Sequence, residues 1–531
     1  MESNIEPKII NEGSAKIFEE GHVFYNPVQE FNRDISICVI NTFLENYEQK
    51  EVNKNVKVSG KIRILEALSA TGLRSIRYAK EVSGVDEIIA NDLMKEAVEM
   101  IKRNVKMNQV ENIVIPNEAD AMTLMYSSTA SSKRFTIIDL DPYGGPNKFL
   151  DAAIQSIEEG GLLLVTATDM AVLAGNTPEA CIVKYGSVPL KSKACHEMAL
   201  RILLRCIEGH ANRYGRYIKP LLSLSVDFYA RVFVRVYSGQ FQCKESSTKQ
   251  SMVFQCTGCE ALTLQPLAVR KRNPDNPKSV KFGIPTGPFV SAQCEHCGHK
   301  HHMGGPIYSD PIHDPEFLKS LMKFVSSEKG SKLGTYNRIL GILSVVQEEL
   351  HEIPLYYTID KLCCVLKLEM IPQLKMRSAI LKEGYRVSLS HACRNSLKTD
   401  APISVLWDIL RYWSKSHPVN RSRFLEGSAL KAILSKAPSK EYDLNNIHPD
   451  ADPPSRKEAL QRFPENPAAH WGPGTRSTLM VDKEKITKSI RNQNKNKIKR
   501  EKKKESSFTN SDNEQNSAKQ RKLDTDKEIS A

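Results

Sequence analysis

The chain has 531 residues, 40% of them apolar, and this length predicts two or three domains rather than one hydrophobic core. No run approaches the roughly 18–20 apolar residues that cross a bilayer. The first twenty residues have neither the apolar stretch of a secretory signal nor the arginine content of a transit peptide, so we expect a soluble protein. The net charge of +13, about half of it from residues 482–531, favours a polyanionic partner such as nucleic acid but does not by itself establish one.

Residues 1–60 are predicted to form an N-terminal extension, in which a polar lead-in precedes a helix over about 27–49. Within that helix Ile35, Val39 and Phe43 recur at helical spacing. We expect this helix to contribute to a cofactor or substrate site.

The next part of the chain, residues 61–240, alternates short apolar strands with helices of ten to fifteen residues. Strands are predicted at 61–69, 86–93, 113–121, 134–141 and 162–169, with helices at 71–83, 94–108 and 147–161. A second strand-rich stretch follows at 219–238. This alternation is typical of a parallel sheet in an α/β fold.

Residues 241–425 are predicted to form a C-terminal domain of mixed α+β character. Two CxxC pairs fall within 256–303, and the pattern is mainly helical from about 315, with a helix-turn-helix or winged arrangement near its middle. The hydrophobic pattern of residues 426–480 does not indicate a particular secondary structure or domain. Residues 481–531 are rich in lysine, asparagine and serine, which predicts a disordered basic tail.

The loop after the first predicted strand reads SATGLR, with the small residues Ser69, Ala70, Thr71 and Gly72. In open α/β sheets ligands bind beyond the carboxyl ends of the strands, and small residues there let a ligand approach the backbone. A dinucleotide site would carry G-x-G-x-x-G, whereas this loop has a single glycine. The loop therefore favours a cofactor without a pyrophosphate.

Acidic residues also lie at the ends of two further predicted strands. Asp92 ends the second strand, about twenty residues after the loop, where an acidic residue suits the hydroxyls of a ribose. Asp120 ends the third strand, where its carboxylate is placed for an adenine amino group and Ala121 offers a backbone N–H. Together with the small loop these residues predict a nucleoside cofactor, with S-adenosylmethionine as the candidate; ordinary loop polarity is the alternative.

The fourth strand runs into DLDPYGG at residues 139–145. Asp-Pro and Gly-Gly both favour a β-turn, which is the structural explanation. The chemical explanation is a site for an exocyclic base amine, whose lone pair is delocalised into the ring. Asp141 and the backbone carbonyl of Pro142 would accept its N–H bonds, and Tyr143 would stack on the base.

Four of the twelve cysteines form two pairs, Cys256 with Cys259 and Cys294 with Cys297. Without a signal sequence the cysteines are expected to be reduced thiols, and two CxxC pairs suit a closed, structural zinc site. A Cys₃His set that uses a nearby histidine, or two accidental CxxC sequences, are the alternatives. Methyl transfer needs no activated water, so we do not expect this metal to be catalytic.

Four segments together resemble the eukaryotic and archaeal tRNA guanine-26 N2-dimethyltransferases over about residues 10–425. They are EGSAKIFEEGHVFYNPVQEFNRDIS (12–36), LSATGLRSIRYA (68–79), ANDL (90–93) and DLDPYGGP (139–146). The resemblance implies a class I (Rossmann-like) S-adenosylmethionine-dependent methyltransferase domain, followed by a C-terminal domain that helps to hold tRNA. It also implies that one and then two methyl groups are placed on N2 of guanine 26.

The resemblance assigns roles to particular residues. Those expected to contact the cofactor are Arg33, Arg74, Asp92, Asp120 and Ala121. Asp141 would hold the target amine, and Phe24 and Tyr143 would flank the guanine. Tyr143 stands where some family members carry phenylalanine, which leaves the role of its hydroxyl open; Arg33 could instead be a helix-surface arginine.

The remaining expectations concern partners and alternatives. Basic stretches at 210–219, 269–281 and 390–402 are candidate RNA contacts or simply solvated faces, and KIKREKKK (497–504) is a nuclear localisation signal, an RNA-tethering patch or both. We expect a monomer in the nucleus, with the cytoplasm or mitochondrion as alternatives. Rival functions are methylation of adenine N6 or cytosine N4, and a non-catalytic zinc-containing RNA-binding protein.

Overall fold

The computed structural model describes residues 8–19, 25–53, 60–273, 276–420, 422 and 424–463. Phe24 and the predicted basic tail at 481–531 lie outside the described residues. Among the helices of the described chain, none is both long and apolar enough to cross a membrane.

The N-terminal extension forms a hairpin and a long helix. Strands β1 (Lys8–Glu12) and β2 (Ala15–Glu19) pair antiparallel, and helix α1 runs over Glu30–Asn53 after a single 3₁₀ turn at Pro27–Gln29. The predicted helix is confirmed, but residues 31–44 are buried on every side rather than along one stripe. The helix therefore lies inside the molecule, and its polar residues need partners there.

A seven-stranded sheet forms the centre of the molecule, in the order β5-β4-β3-β6-β7-β9-β8. Its strands are β3 (Arg63–Glu66), β4 (Glu87–Asp92), β5 (Val114–Glu118), β6 (Phe135–Leu140), β7 (Ile157–Ala167), β8 (Arg216–Val226) and β9 (Tyr229–Ser238). The first five are parallel, as predicted, and the hairpin of β8 and β9 joins one side of the sheet antiparallel to β7. The α/β fold class is thereby confirmed.

Helices cover both faces of this sheet. They are α2 (Leu73–Glu81), α3 (Lys95–Asn108), α4 (Ala121–Ser127), α5 (Asn147–Ser156), α6 (Met170–Leu173), α7 (Pro178–Tyr185) and α8 (Cys195–Asn212). Alternate strand residues belong to different cores: Leu65 and Ile138 to the core with α5 and α8, Ile64 and Ile137 to the core with α1, α2 and α3. The period of two along each strand places the sheet between two hydrophobic layers.

The helix predicted over 147–161 is too long, because α5 ends at Ser156 and residues 157–161 begin β7. The register between β6 and β7 is irregular at this point, where Phe135 pairs with Ile157 but Ile137 pairs with Leu162. A Cβ on Gly161 would lie 2.9 Å from the carbonyl oxygen of Thr136. The glycines at the start of β7 therefore belong to a β-bulge and do not end a helix.

The two CxxC pairs lie in a small β-structure that follows α9 (Gln240–Glu245). Strands β10 (Gln250–Cys256), β11 (Leu262–Pro266) and β14 (His301–Tyr308) form one sheet, and β12 (Val269–Asn273) with β13 (Asn276–Gly283) form a separate hairpin. The long spacer between the cysteine pairs thus contains the β12–β13 hairpin.

The remaining described residues are mainly helical. They comprise α10 (Pro315–Val325), α11 (Glu328–Ser331), α12 (Tyr336–Glu348), β15 (Tyr357–Thr358), α13 (Ile359–Val365), α14 (Gln373–Lys382), β16 (Val387–Ser390), β17 (Cys393–Thr399), α15 (Ile403–Ser416), α16 (Ala429–Leu434) and α17 (Pro454–Lys457). We call α13, α14, the β16–β17 hairpin and α15 the winged module; that they form a helix-turn-helix or winged arrangement stays a prediction. Residues 424–463 pack onto this winged module: Tyr442 Oη donates to Asp408 at 2.9 Å and Arg377 Nε to the Ala451 carbonyl at 2.7 Å. The domain boundaries themselves stay predictions.

Candidate active site

The loop between β3 and α2 is held in a conformation that few residues adopt. Ala70 has φ +47° and Gly72 φ +75°, and a Cβ on Gly72 would lie 3.1 Å from the Ile101 side chain. Asp92 Oδ2, at the end of β4, accepts a hydrogen bond from the Ala70 N–H at 2.9 Å. The small loop and the acidic residue predicted to meet a ribose are therefore neighbours at one edge of the sheet.

A third strand end joins the same edge. Asn91 Nδ2 donates to the carbonyls of Ala67 and Ala119, both at 3.0 Å, and so links the ends of β3, β4 and β5. Asp120 follows β5 and caps α4, where its Oδ1 accepts from the Thr123 N–H at 2.9 Å, and Ala121 is the buried first residue of that helix. The structure thus brings Asp92, Asp120 and Ala121 together.

The end of β6 contains a buried carboxylate, Asp139, that sequence reasoning did not assign to the site. Arg231 donates to its two oxygens at 2.8 and 3.0 Å, Tyr78 Oη donates at 2.6 Å and Arg74 Nη1 lies 3.3 Å away. Burial alone would raise the pKa of Asp139, but Arg231 and Arg74 outweigh it and hold that pKa below its usual value. Asp139 is therefore a buried anion with a complete set of donors.

Arg74 connects this buried anion to the predicted catalytic carboxylate. One terminal nitrogen faces Asp139, and the other forms an ion pair with Asp141, which is two residues further along the chain. The Arg74 side chain is 6% exposed, whereas that of Asp141 is 22% exposed. A buried cation thus orients Asp141 while part of its carboxylate faces outward, where a substrate can reach it.

Glu66, at the end of β3, is a further residue that sequence reasoning missed. Its Oε2 accepts from the Ser75 N–H at 3.0 Å, and Arg74 Nε lies 3.7 Å from Oε1. Burial raises the pKa of Glu66 to about 7, even though Arg74 and Ser75 act in the opposite direction. The sequence pattern does not predict a role for Glu66, because the hydrogen-bond partners of a glutamate in an apolar strand are known only from the folded structure.

The DPYGG turn is anchored to the end of β7. The Gly144 N–H donates to Thr168 Oγ1 at 2.8 Å, and the Thr168 N–H donates to the Gly144 carbonyl at 3.0 Å. Tyr143 is 44% exposed. Burial, and then the charges of Asp141 and Asp92, raise the pKa of Tyr143 well above its usual value, so its phenol is neutral beside both carboxylates. The turn therefore places a neutral aromatic ring near Asp141.

Arg33 is buried in α1, so the interpretation as a helix-surface arginine is wrong. Its guanidinium makes a two-point ion pair with Glu12 of β1, and it also donates to the Asn26 carbonyl at 3.1 Å. Arg77 approaches Glu12 at 2.9 Å from the other side. Burial would raise the pKa of Glu12, but Arg33 and Arg77 lower it. Within the described chain, these contacts do not join Arg33 to the strand-end residues.

The four cysteines of the CxxC pairs converge and are all buried. Their sulfur atoms lie within 4.8 Å of one another, with 3.3 Å between Cys256 and Cys297 and 3.6 Å between Cys259 and Cys294. Four thiolates at about 2.3 Å from a tetrahedral Zn²⁺ would be separated by about 3.8 Å. The set of donors fits zinc, and within the described residues no histidine belongs to this group.

A second buried group, formed by His313, Glu349 and His391, does not fit a metal. His391 uses both ring nitrogens, since Nδ1 lies 2.6 Å from Glu349 and Nε2 accepts from the Ser225 N–H at 3.1 Å. Lys398 also lies 3.3 Å from Glu349 and neutralises its charge. This group is a polar link between β8 and the winged module.

Comparison with known proteins places the chain among tRNA-modifying enzymes. The family described as N2,N2-dimethylguanosine tRNA methyltransferase matches residues 6–411. A protein of Drosophila melanogaster named tRNA (guanine(26)-N(2))-dimethyltransferase is 59% identical over 523 residues, which cover 93% of this chain and 90% of the relative. A protein of the same name from Homo sapiens is 46% identical, with 89% and 78% covered.

One solved structure is similar in both sequence and fold. Trm1 from Pyrococcus horikoshii, in complex with S-adenosyl-L-methionine, has 31% sequence identity and a TM-score of 0.62. The match covers 75% of this chain and 98% of the archaeal chain. The likeness therefore extends over nearly the whole of that protein.

Replacing Arg231 by methionine is expected to destabilise the protein by about 3–5 kcal/mol, because it removes the main partner of the buried Asp139. The urea midpoint of unfolding measures this change. Lys102→Met is the matched control, since Lys102 pairs with Glu99 on the exposed face of α3 and its loss should leave the midpoint unchanged. Equal midpoints for Arg231→Met and the wild type would contradict the role given to this network.

Proposed function

The chain belongs to the N2,N2-dimethylguanosine tRNA methyltransferase family, and we propose that its strand-end site performs this reaction. The protein is a tRNA (guanine-26-N2)-dimethyltransferase that uses S-adenosylmethionine as methyl donor. The observation that supports the assignment of the site is the Arg74–Asp141 ion pair, which holds a partly exposed carboxylate beside the loop with a single glycine.

The donor set at the sheet edge fits S-adenosylmethionine. We propose that Asp92 binds the ribose hydroxyls, that Asp120 meets the adenine amino group and that the Ala121 N–H donates to the adenine ring. When bound, this cofactor supplies an electrophilic methyl group on a sulfonium. Contacts of Arg33 and Arg74 with the cofactor stay predictions, since both guanidiniums are engaged by carboxylates in the structure.

Asp141 is proposed as the catalytic residue that holds the guanine N2 amine. Its carboxylate accepts an N–H bond, which turns the nitrogen lone pair out of conjugation with the ring. As N2 bonds to the methyl carbon, the bond from that carbon to the sulfonium sulfur would break, its electron pair would pass to sulfur, and S-adenosylhomocysteine would be the leaving group. The proton released from the positively charged N2 would pass to Asp141. The ion pair with Arg74 holds the Asp141 carboxylate in position before that step. A second round consumes the remaining N–H and gives the dimethylated amine.

The guanine must leave its stack to reach Asp141. We propose that the ring of Tyr143, exposed and next to Asp141 in the chain, stacks on the flipped base. Phe24 is proposed on the other side of the base from the family resemblance alone, because it lies outside the described residues.

We propose that Cys256, Cys259, Cys294 and Cys297 hold one structural Zn²⁺. Burial and four sulfur donors leave no open position for a substrate. The N–H groups of Gly258 and Cys259 lie 3.4 and 3.5 Å from Cys256 Sγ, and such N–H···S contacts stabilise a thiolate ligand. The metal would join the small β-structure around the two cysteine pairs.

Nuclear localisation and a monomeric state stay proposals. The first rests on the KIKREKKK stretch at 497–504, which lies outside the described residues. Deletion of that stretch from a fluorescent fusion would test the nuclear signal, and light scattering would test the oligomeric state.

Purified protein should convert unmodified tRNA to N2,N2-dimethylguanosine in the presence of S-adenosylmethionine. The product should be absent when guanine 26 is replaced by adenine, because adenine has no exocyclic amine at C2. Mass spectrometry of digested nucleosides measures both results. Methylated adenine or cytosine as the main product would contradict the assignment.

Asp141→Asn should lower the methylation rate by about 10²- to 10⁴-fold, since an amide cannot take the proton from N2. Affinities for S-adenosylmethionine and tRNA, measured by calorimetry and fluorescence anisotropy, should change little. Asp151→Asn is the control, because Asp151 is a carboxylate on α5 that bonds to Tyr126 and Tyr214. A near wild-type rate for Asp141→Asn would overturn the mechanism.

Mass spectrometric metal analysis should find about one zinc per chain. Cys294→Ser should lose that zinc and unfold at a lower temperature, whereas Cys364→Ser should keep both properties, because Cys364 is an exposed thiol outside the cluster. Zinc-free wild-type protein of unchanged stability would show that the four cysteines are not a metal site.

A further inference from the structure

The winged module contains an open cleft of about 320 Å³ that the methylation site does not use. The start of α14, the β16–β17 hairpin and the end of the described C-terminal segment line it. Three arginines face the cleft, Arg394, Arg456 and Arg462, together with Phe463. We call this feature the arginine cleft.

The charge of the arginine cleft is only partly balanced. Arg456 lies 3.3 Å from the carboxylate of Asp452. The carboxylate of Glu348 already accepts hydrogen bonds from the backbone N–H and the hydroxyl of Ser455. Arg394 is exposed, and within the described residues its guanidinium has no hydrogen bond or ion pair. Positive charge is therefore left over at the surface of the cleft.

One of the arginines that line the cleft has an unpaired donor, since Arg462 Nη1 is buried with no hydrogen-bond partner among the described residues. Arg377 does not line the cleft, but its Nη1 is also buried without a partner, and the residue is only 4% exposed. Burial lowers the pKa of Arg377 to about 10, with Arg462 and Arg456 among the like charges that add to this effect. These arginines stay charged at neutral pH, repel one another, and would be stabilised by an anion.

The start of α14 contributes to the same cleft. Gln373 and Leu374 are its first residues and line the cleft, and no side chain caps their N–H groups. Gln373 Nε2 donates to the Arg394 carbonyl at 3.1 Å, which ties the hairpin to the start of the helix. Free N–H groups at a helix start and planar guanidiniums both match the oxygen atoms of a phosphate.

We propose that the arginine cleft binds the phosphate backbone of the tRNA substrate at a point remote from the methylated base. This inference rests on the proposed function, which supplies the polyanion. The phosphate diester is favoured over an acidic peptide because both the uncapped helix start and the guanidinium forks suit a tetrahedral anion.

The test compares Arg394→Ala and the double variant Arg394→Ala/Arg456→Ala with the wild type, by fluorescence anisotropy of labelled tRNA at several salt concentrations without cofactor. Each lost phosphate contact should reduce the slope of log K against log salt by about 0.7–0.9. At low salt the double variant should bind tRNA roughly tenfold or more weakly. KM for tRNA should rise, and the rate at saturating tRNA should stay near that of the wild type.

Arg386→Ala is the matched control, since Arg386 is an exposed arginine next to β16 whose guanidinium pairs with Glu352 and Asp400. It should keep the wild-type salt slope. Circular dichroism and the affinity for S-adenosylmethionine show whether each variant is folded. If the double variant unfolds, the proposal is tested with the Arg394→Ala single variant alone, because Arg394 is exposed.

Wild-type affinity and slope in both cleft variants would overturn the proposal, and so would an equal loss in Arg386→Ala. The outcome is separate from that of the proposed function, because tRNA binding is measured without catalysis. If the wild type forms dimethylguanosine but the cleft variants bind tRNA normally, only the cleft assignment fails.

Discussion

The fully buried carboxylate of Asp139 is the constraint around which the centre of the molecule is arranged. A buried anion without partners costs several kcal/mol, so the fold must bring donors to it from distant parts of the chain. Arg74 and Tyr78 come from α2, and Arg231 comes from β9. Arg231 in turn binds Ser36 of α1. One charge thus connects the N-terminal helix, the parallel strands and the antiparallel hairpin.

The same network extends to the proposed catalytic carboxylate, Asp141. Arg74 divides its two terminal nitrogens between the buried Asp139 and the accessible Asp141, so its position does not depend on a flexible surface contact. A carboxylate fixed by a buried guanidinium is already oriented before a substrate arrives. Arg74 therefore serves both the buried anion and the proposed catalytic carboxylate, and the cost of burying Arg74 is offset by three carboxyl groups around it.

Sequence reasoning found the residues at strand ends and missed those that support them. Asp92, Asp120 and Asp141 were predicted because polar residues directly after apolar strands meet at one edge of a parallel sheet. Asp139 and Glu66 look like ordinary strand residues in the sequence. Their partners lie far along the chain, with 92 positions between Asp139 and Arg231. Helix α5 was predicted too long because glycines that serve a strand bulge also resemble a helix end.

The alternation of strands and helices, the small SATGLR loop, the DPYG turn and the two CxxC pairs could all be read from the sequence, because each depends on local spacing. The burial of Arg33 against Glu12 and the contacts of Arg74 with two carboxylates could be found only in the folded chain. It alone brought arginines from the hairpin and the C-terminal segment into one cleft. The physical reason is that charge pairing and burial depend on distances in space, and residues far apart in the chain carry no local pattern that reports those distances.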